Sequence, residues 1–232
     1  MKAMILAAGL GTRLKPFTNS NPKALFKVDG KTLLEHSIGH LKQAGVKEVI
    51  INVHHFASMI IDFLAANDYF GMEIAISDET GELLETGGGV KKSAWFFEGA
   101  EAAIIRNVDI LSDLDLKKMT DFHVKTGALA TLAVRDRATS RYFLLDHEMQ
   151  LCGWENRKTG EQRKSRDAAS FIARAFSGIQ VVSPAIFSLI TEDGRFSLTD
   201  LYLRLAKDQK ITGYPDEGSV WEDVGSIKQC SK

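Results

Sequence analysis

Residues 4–16 constrain what this chain can fold into more than any other stretch does. They form an apolar run that ends in Gly9 and Gly11 and continues into polar and basic residues. This order predicts a buried strand that leads into a loop, because glycine has no Cβ, adopts positive φ angles and lets consecutive N–H groups turn toward one anion. The loop is therefore predicted to hold a nucleoside triphosphate. Three nearby cations can balance the charge of the phosphates, namely Arg13, Lys15 and Lys23.

Two better-known phosphate loops do not fit these residues. A Walker loop ends in Gly-Lys-Ser/Thr, whereas Gly11 is followed by Thr12 and Arg13. A dinucleotide-binding fingerprint needs a third glycine where Leu14 stands, and the acid that would bind the ribose, Asp29, belongs to an Asp-Gly turn. Both alternatives are excluded on these grounds.

The first half of the chain alternates between strand and helix patterns. Thr32 and Glu35 have the spacing of a capping box, which predicts the start of a helix, and Gly45 predicts its end. Parallel strands joined by helices predict a doubly wound sheet with ligands at the carboxyl ends of the strands, where both the Gly9 loop and Asp109 fall. The later strands are predicted at residues 49–53, 72–76 and 102–105, and the helices are predicted to begin near residues 32, 56, 87 and 115.

The second half of the chain predicts a different edge of the sheet. Residues 130–134, 142–145 and 150–154 have strand patterns separated by short turns, which favours a mixed edge. The chain returns to strand at residues 172–182 and to helix at residues 198–206. The predicted fold class is α/β, with a doubly wound, mostly parallel sheet that has a mixed edge and is flanked by helices.

Residues 156–167 form a basic connection within this second half. Their length and polarity predict a mobile segment, for which two interpretations stay open: a solvated hairpin tip, or a lid that meets an anionic substrate. The five cations of the segment are Arg157, Lys158, Arg163, Lys164 and Arg166.

The composition is typical of one soluble α/β domain. A chain of 232 residues with 44% hydrophobic residues can bury a sizeable core, and its formal net charge of −1 offers no basic field to nucleic acid or to a membrane surface. No apolar run approaches the ~20 residues that span a bilayer. The two cysteines, Cys152 and Cys230, lie far apart. We expect one domain over residues 1–232, in a reducing cytoplasm, as a monomer or small homo-oligomer with no nucleic-acid or membrane partner.

Five ordered blocks of the sequence resemble the sugar-1-phosphate nucleotidyltransferase family. The resemblance covers nearly the whole chain and implies a Rossmann-like nucleotidyltransferase fold. It also leads us to expect no C-terminal β-helix extension of the kind that larger members carry. The blocks are residues 7–14 together with Pro22 and Lys23, and residues 85–89, 107–109, 176–179 and 221–225.

The resemblance implies a role for each of several residues. Asp109 and Asp223 would hold one Mg²⁺, and Arg13 and Lys23 would be the catalytic cations. Taken singly, the two aspartates would read as a helix cap and a surface acid. The implied nucleotide-binding residues are Leu6, Ala8, Gly9, Gly11, Thr12, Arg13, Lys23, Gly87 and Gly88. The implied substrate-binding residues are Glu85, Asn107, Glu155 and Gly178.

The implied reaction transfers NMP from an NTP to a sugar-1-phosphate and gives an NDP-sugar and pyrophosphate. The attacking phosphate is already an anion, so no general base is needed. Charge neutralisation is the main task, because two unit charges ~4 Å apart repel by ~1 kcal/mol in water and by ~4 kcal/mol at an effective dielectric of about 20. Mg²⁺ and the two catalytic cations would supply that neutralisation.

The acceptor and the base are less constrained by the residues. The resemblance favours UTP with N-acetylmuramate-1-phosphate slightly over GTP with mannose-1-phosphate, and a lactyl carboxylate on the acceptor would be met by residues 157–166. Two alternatives stay open: a catalytically silent nucleotide-sugar sensor, and a cytidylyltransferase for a non-sugar phosphate such as phosphocholine. Two departures from the family pattern bear on the sugar end, because Val108 stands where a small residue is usual and Asn156 stands where a lysine often follows the glutamate.

Overall fold

A computed structural model describes residues 1–225 of the chain. Cys230 lies outside the described residues. The strands are β1 (Lys2–Leu6), β2 (Lys27–Val28), β3 (Lys31–Thr32), β4 (Glu48–Val53), β5 (Glu73–Asp78), β6 (Ala103–Asn107), β7 (Ile110–Ser112), β8 (Ala130–Arg135), β9 (Arg141–Leu145), β10 (Leu151–Asn156), β11 (Glu161–Lys164), β12 (Ile172–Val182), β13 (Ile211–Pro215) and β14 (Trp221–Asp223). The helices are α1 (Leu33–Gln43), α2 (Ala57–Ala66), α3 (Glu85–Lys92), α4 (Leu116–Thr126), α5 (Ala185–Ser188) and α6 (Leu198–Leu205).

The main sheet contains ten strands and confirms the predicted fold class. Strands β5, β4, β1 and β6 lie side by side and are parallel. The long strand β12 runs antiparallel beside β6, and its two ends pair with different partners, β9 near its start and β8 near its end. Strands β9, β10 and β11 then form the antiparallel edge, while β13 adds to β8 in parallel. The edge is therefore mixed, as predicted.

Two hydrophobic cores cover the two faces of the sheet. Alternate residues of β1 point to opposite faces, so Ala3 and Ile5 pack with α1, α2 and α4, whereas Met4 packs with α3, α5 and α6. The same alternation puts Ile51 of β4 in the first core and Ile50 in the second. Strands buried on both faces are continuously apolar, which explains the long hydrophobic runs in the sequence.

The first crossover helix begins where its capping box predicts. The Thr32 hydroxyl accepts a hydrogen bond from the Glu35 backbone N–H (3.1 Å), and the Glu35 carboxylate accepts one from the Thr32 N–H (2.6 Å). Gly45 follows the helix with a φ of 80°. The helix is thus fixed at both ends, with its apolar side on the β1–β4 part of the sheet.

A separate pair of short strands joins distant parts of the chain. Strands β7 and β14 are antiparallel, with Asp223 opposite Ile110 and Trp221 opposite Ser112. The Val224 N–H also donates to the backbone carbonyl of Asp109 (3.0 Å). This pairing brings the end of the described chain to the carboxyl end of β6.

Candidate active site

A cleft with two connected lobes opens at the carboxyl ends of the parallel strands. The inner lobe, about 510 Å³, lies between the Gly9 loop, the start of α3 and the start of α6. The outer lobe, about 620 Å³, lies between β9, β10, β12 and β14. Both lobes are lined by Arg13, Arg141, Phe143, Phe176 and Thr199. The sequence-predicted residues in the inner lobe are Leu6, Ala8, Gly9, Arg13, Lys23, Glu85, Asn107 and Asp109, and Asp223 lines the outer lobe.

The Gly9 loop is held tightly against the segment that carries Lys23. Gly11 has a φ of 60°, and a Cβ added there would lie 2.9 Å from both Lys23 Cβ and Thr18 Cγ2. The Thr18 hydroxyl donates to the Gly11 carbonyl (3.0 Å). Gly11 is therefore required for the close packing that directs Lys23 into the inner lobe, whereas Thr12 starts a short 3-10 turn outside the lining.

A buried polar chain supports the same loop from below. The Asn52 side-chain carbonyl accepts from the Ala7 N–H (2.7 Å), and its amide nitrogen donates to Glu79 (2.7 Å). The second oxygen of Glu79 accepts from the Leu84 N–H (3.2 Å) just before α3. The loop after β1 and the start of α3 are thus tied to one another through β4, a connection that the sequence analysis missed.

The two predicted metal-binding aspartates meet at the junction of the lobes. Asp109 is buried, and its carboxylate lies 2.7 Å from Lys23 Nζ and 3.9 Å from an Arg13 nitrogen. Arg13 also lies 3.8 Å from the Asp223 carboxylate. The structure therefore brings all four predicted charged residues to one point, although they come from three distant parts of the chain.

Gly225 allows the Asp109 and Asp223 carboxylates and the Arg13 guanidinium to lie close together. A Cβ at this position would lie 2.7 Å from Asp223 Oδ1, 2.9 Å from Asp109 Oδ2 and 2.5 Å from Arg13 Nη2. The two carboxylate oxygens therefore face a common volume, and oxygen ligands of this kind suit Mg²⁺. Within residues 1–225, no cluster of three or more His, Cys, Asp or Glu side chains could hold a metal, so phosphate and water would have to complete the coordination of a cation at Gly225.

A buried arginine supports the segment that carries Asp109. The Arg106 guanidinium donates to the Ile110 carbonyl and lies 2.7 Å from His40 Nδ1, while His40 Nε2 lies 2.8 Å from the Leu114 carbonyl. The neutral tautomer with hydrogen on Nε2 satisfies both contacts of His40. Burial and the Arg106 charge lower the pKa of His40 to about 4. Burial likewise lowers the pKa of Arg106 to about 10, which leaves it charged at neutral pH.

The glycines at the start of α3 make close contacts with protein rather than with the cleft. A Cβ on Gly87 would meet the Phe196 ring, and a Cβ on Gly88 would meet the Gly194 carbonyl. The N–H groups of both glycines point to the Phe196 carbonyl at 2.9 and 3.3 Å. Their nucleotide contact stays a prediction, because the structure does not bring them into the lining of either lobe.

Glu85 and Thr86, which come just before these glycines, do line the inner lobe. Glu85 lines the inner lobe with a φ of 60°, and one of its oxygens accepts two hydrogen bonds from Arg195 at 2.9 and 2.7 Å. Thr86 lies beside it and accepts from the Leu198 N–H through its hydroxyl (2.9 Å). These contacts join the start of α3 to the start of α6 over the inner lobe.

Gly178 has a local packing role next to the segment that carries Asp109. Its φ is 78°, and a Cβ there would lie 2.6 Å from Ile110 Cγ1 and 3.2 Å from Asn107 Nδ2. The residue interrupts the pairing of β12 with β8, which is irregular between Phe176 and Gln180. Gly178 thus lets β12 approach β7, and its sugar contact stays a prediction.

Two arginines that the sequence analysis missed face the outer lobe. Arg137 lies with its guanidinium 4.4 Å from the centre of the Trp221 ring and donates to the Phe176 carbonyl (3.2 Å). Arg141 lines both lobes. Among residues 1–225, no carboxylate forms an ion pair with either arginine, although the charge of Asp223 acts against the lowering of the Arg137 pKa by burial. Arg137 lies in the loop before β9 and Arg141 is the first residue of that strand, and no sequence motif marks either residue.

The basic segment at residues 156–167 is a hairpin whose cations are mostly paired locally. The Arg157 Nε lies 2.6 Å from Glu155, and Arg163 pairs with Asp200 while stacking 4.5 Å from the centre of Trp154. Lys164 pairs with Asp167, and Arg166 donates to Gln150 (2.9 Å). The hairpin interpretation fits this arrangement, and the Glu155 carboxylate does not line the cleft, so its contact with sugar stays a prediction.

Comparisons with known proteins identify the family of the chain. A family model described as nucleotidyl transferase matches residues 2–231. The chain is 34% identical, over 96% of its length and 91% of the relative, to N-acetylmuramate alpha-1-phosphate uridylyltransferase of Caulobacter vibrioides. It is 28% identical to mannose-1-phosphate guanyltransferase of Yarrowia lipolytica over 98% of this chain and 61% of that longer protein.

A solved structure has the same fold. The crystal structure of HddC from Yersinia pseudotuberculosis superposes with a TM-score of 0.76 at 25% identity, covering 98% of this chain and 95% of that one. In the described residues, no helix combines the length and apolar character needed to cross a membrane. From the matched family model and the relative at 34% identity, the chain belongs to the sugar-1-phosphate nucleotidyltransferase family.

Proposed function

We propose that this protein transfers a nucleotidyl group from an NTP to a sugar-1-phosphate and releases pyrophosphate. One observation carries the proposal: Asp109, Asp223, Arg13 and Lys23 converge where the two lobes meet. Family membership supports the same reaction. Two anionic substrates must come together for this transfer, and the junction has two cations together with two carboxylates that would hold Mg²⁺.

The two lobes suit the two substrates of this reaction. The inner lobe has the loop backbone at Ala8 and Gly9 for the triphosphate, and the outer lobe has Arg137 and Arg141 for the acceptor. An acceptor phosphate at the junction would place one oxygen in line with the α-phosphorus. A P–O bond forms there as the bond from the α-phosphorus to the bridging oxygen breaks, and the electron pair leaves with pyrophosphate.

Charged side chains at the junction favour the transition state of that step. Arg13 lies near both carboxylates and can donate to oxygens of the triphosphate, and Lys23 can move from Asp109 to a phosphate oxygen. Asp109 and Asp223 would hold Mg²⁺, which supplies charge neutralisation and a template for the two phosphates when bound. No residue has to accept a proton, because the acceptor oxygen is already ionised.

We favour UTP with N-acetylmuramate-1-phosphate as the substrates. The relative at 34% identity is named for that acceptor and that nucleotide, and it matches the chain over nearly all of both lengths. A muramate acceptor carries a lactyl carboxylate in addition to its phosphate. The free charges of Arg137 and Arg141 suit such a second anion better than the locally paired cations of the hairpin do. The mannose-1-phosphate relative makes GTP with mannose-1-phosphate the second candidate.

A substrate matrix tests the proposal. Purified protein with Mg²⁺ is given each common NTP with N-acetylmuramate-1-phosphate, N-acetylglucosamine-1-phosphate, glucose-1-phosphate, mannose-1-phosphate or phosphocholine, and pyrophosphate release is measured. Turnover with a sugar phosphate is expected, fastest with UTP and the muramate. Nucleotide binding without turnover would indicate a sensor, and turnover limited to CTP with phosphocholine would indicate the cytidylyltransferase.

A further inference from the structure

The inner lobe is lined by two buried polar side chains, each with an oxygen atom that has no hydrogen-bond partner within residues 1–225. Tyr202 of α6 is 1% exposed and Gln180 of β12 is 2% exposed, and both line the lobe. Within residues 1–225, neither the Tyr202 hydroxyl nor the Gln180 side-chain oxygen forms a hydrogen bond. Burial also raises the pKa of Tyr202, so its hydroxyl is a neutral donor at any physiological pH.

Unpaired polar groups of this kind are uncommon inside proteins. Leaving a buried donor or acceptor unsatisfied reduces stability, because the group has lost its water without gaining a partner. Phe143 and Leu198, which belong to the same hydrophobic core as Tyr202, are apolar and offer no hydrogen bond. Two such groups that line the same lobe of a substrate cleft point to a ligand that completes both hydrogen bonds.

The position of the pair along the cleft points to the acceptor. Thr199 precedes Tyr202 by three residues on α6 and so lies on the same helix face. Thr199 lines both lobes, as does Phe176 in the strand that carries Gln180. The pair therefore belongs to the side of the inner lobe that joins the outer lobe. Leu83 and Thr86 line the lobe near the start of α3 instead.

We propose that Tyr202 and Gln180 recognise an uncharged amide substituent of the acceptor, such as the acetamido group of a 2-acetamido sugar phosphate. The inference rests on the proposed function, since it concerns the acceptor of the same reaction. The amide carbonyl accepts from the Tyr202 hydroxyl, and the amide N–H donates to the Gln180 oxygen. The methyl group packs against Phe143 and Leu198. A hydroxyl at the same carbon has one oxygen for both partners and no methyl group.

Tyr202→Phe tests the idea by removing a single oxygen atom. The acceptors are N-acetylglucosamine-1-phosphate and glucose-1-phosphate, which differ only at the substituent in question. The ratio of their kcat/KM values is expected to fall about 5- to 10-fold in the variant, while the KM for UTP is unchanged. Gln180→Met, which keeps the approximate volume, should lower the same ratio. Tyr214→Phe is the matched control, because Tyr214 packs on Phe122 away from both lobes.

Thermal unfolding of the unliganded variants separates recognition from a structural role. Since the Tyr202 hydroxyl has no hydrogen-bond partner in the part of the chain that the structure describes, Tyr202→Phe should unfold at the same temperature as the wild type or at a higher one. A clear fall in Tm would mean that the hydroxyl has a hydrogen bond within the folded protein, and it would overturn the proposal. The preference for the acetamido sugar is thus expected to fall in Tyr202→Phe, while the unfolding temperature stays the same or rises.

The remaining outcomes each give a decision. An unchanged acceptor ratio in both variants overturns the proposal, and a raised KM for UTP with that ratio unchanged assigns the pair to the base instead. If the wild type turns over no acceptor, the proposed function fails by itself. The acceptor ratio is then measured as calorimetric Kd values for the same two sugar phosphates in wild type and Tyr202→Phe, where equal preference in both proteins overturns the amide site.

Discussion

In the inner lobe the backbone fixes the distances, whereas in the outer lobe long side chains do. Gly11 packs directly on Lys23, and a methyl group at Gly225 would come too close to the Asp109 and Asp223 carboxylates. Arg137, Arg141 and Trp154 line the outer lobe, and the two arginines have no carboxylate partner among the described residues. The backbone contacts at Gly11 and Gly225 therefore tolerate few residue types, whereas the lining of the outer lobe can change by substitution of side chains alone.

The largest effect should come from the two carboxylates at the junction. Asp109→Asn and Asp223→Asn keep the shape but remove the charge that would hold Mg²⁺, so each should lower metal-dependent turnover at least about 100-fold. Circular dichroism should show an unchanged fold. Asp121→Asn, an exposed position on α4, is the control and should behave as wild type. Near wild-type turnover by either variant would contradict the two-carboxylate site.

The next largest effect tests whether the backbone sets the junction. Gly225→Ala places a methyl group where it would contact Arg13, Asp223 and Asp109, and turnover should fall about 10- to 100-fold. Gly218→Ala is the matched control, because a Cβ there meets nothing within 4 Å. Steady-state kinetics of both variants, at saturating Mg²⁺, make the comparison. Equal activities of the two variants would show that the junction can rearrange and that the backbone at Gly225 does not fix the distances between its charged groups.

A smaller effect is expected at the outer lobe. Arg137→Gln removes one charge from the outer lobe only, so the KM for the sugar phosphate should rise about 10-fold while the KM for the NTP stays constant; Arg141→Gln should raise the first KM more than the second, because Arg141 also lines the inner lobe. The measurement is a pair of saturation curves, one for each substrate. An equal rise in both KM values would mean that these arginines bind the triphosphate, and the division of labour between the lobes would be wrong.

The buried contact between Arg106 and His40, which supports the segment carrying Asp109, should affect the pH dependence of the free energy of unfolding. The pKa of folded His40, about 4, is below its ordinary value of 6.5. Between these values the unfolded chain binds a proton that the folded chain does not, so stability is present above pH 6.5 and falls as the pH decreases toward 4.

His40→Asn should therefore flatten this acid-side loss in urea unfolding at a series of pH values. The exposed His147→Asn is the control and should keep the wild-type slope. Burial also lowers the pKa of His123 to about 4, so part of the slope should remain in the His40 variant. An unchanged slope in His40→Asn would show that the Arg106–His40 contact does not keep the imidazole neutral.

The smallest effect should come from the basic hairpin. Lys158→Glu reverses an exposed charge at the tip, outside both lobes, so the KM for a muramate or a mannose phosphate should change by no more than about two-fold. A selective rise for the muramate would instead support the lid interpretation. It would transfer part of acceptor recognition from Arg137 and Arg141 to the hairpin.

The sequence was most informative where local chemistry decides the structure. The capping box at Thr32 and the glycine loop after β1 depend on residues close together in the chain, and both were predictable. The role of Gly87 and Gly88 was not, because the atoms they contact belong to Gly194 and Phe196, about 110 residues away. Arg137 and Tyr202 could not be identified either. An arginine in a loop and a tyrosine on an amphipathic helix carry no sequence signal of a binding role, because that role depends on which side chains the tertiary fold places around them.

The short pairing of β7 with β14 couples ligand binding to local unfolding. Three residue pairs hold β14 in place, and they carry Asp223 to the segment that follows Asp109. Opening of this ribbon would separate the carboxylates while the ten-stranded sheet stayed intact. A ligand that bridges both carboxylates must therefore slow the opening, and hydrogen exchange should report it as added protection of the Val224 amide, which donates to the Asp109 carbonyl. Bound substrate would then stabilise the pairing of β7 with β14 as well as react beside it.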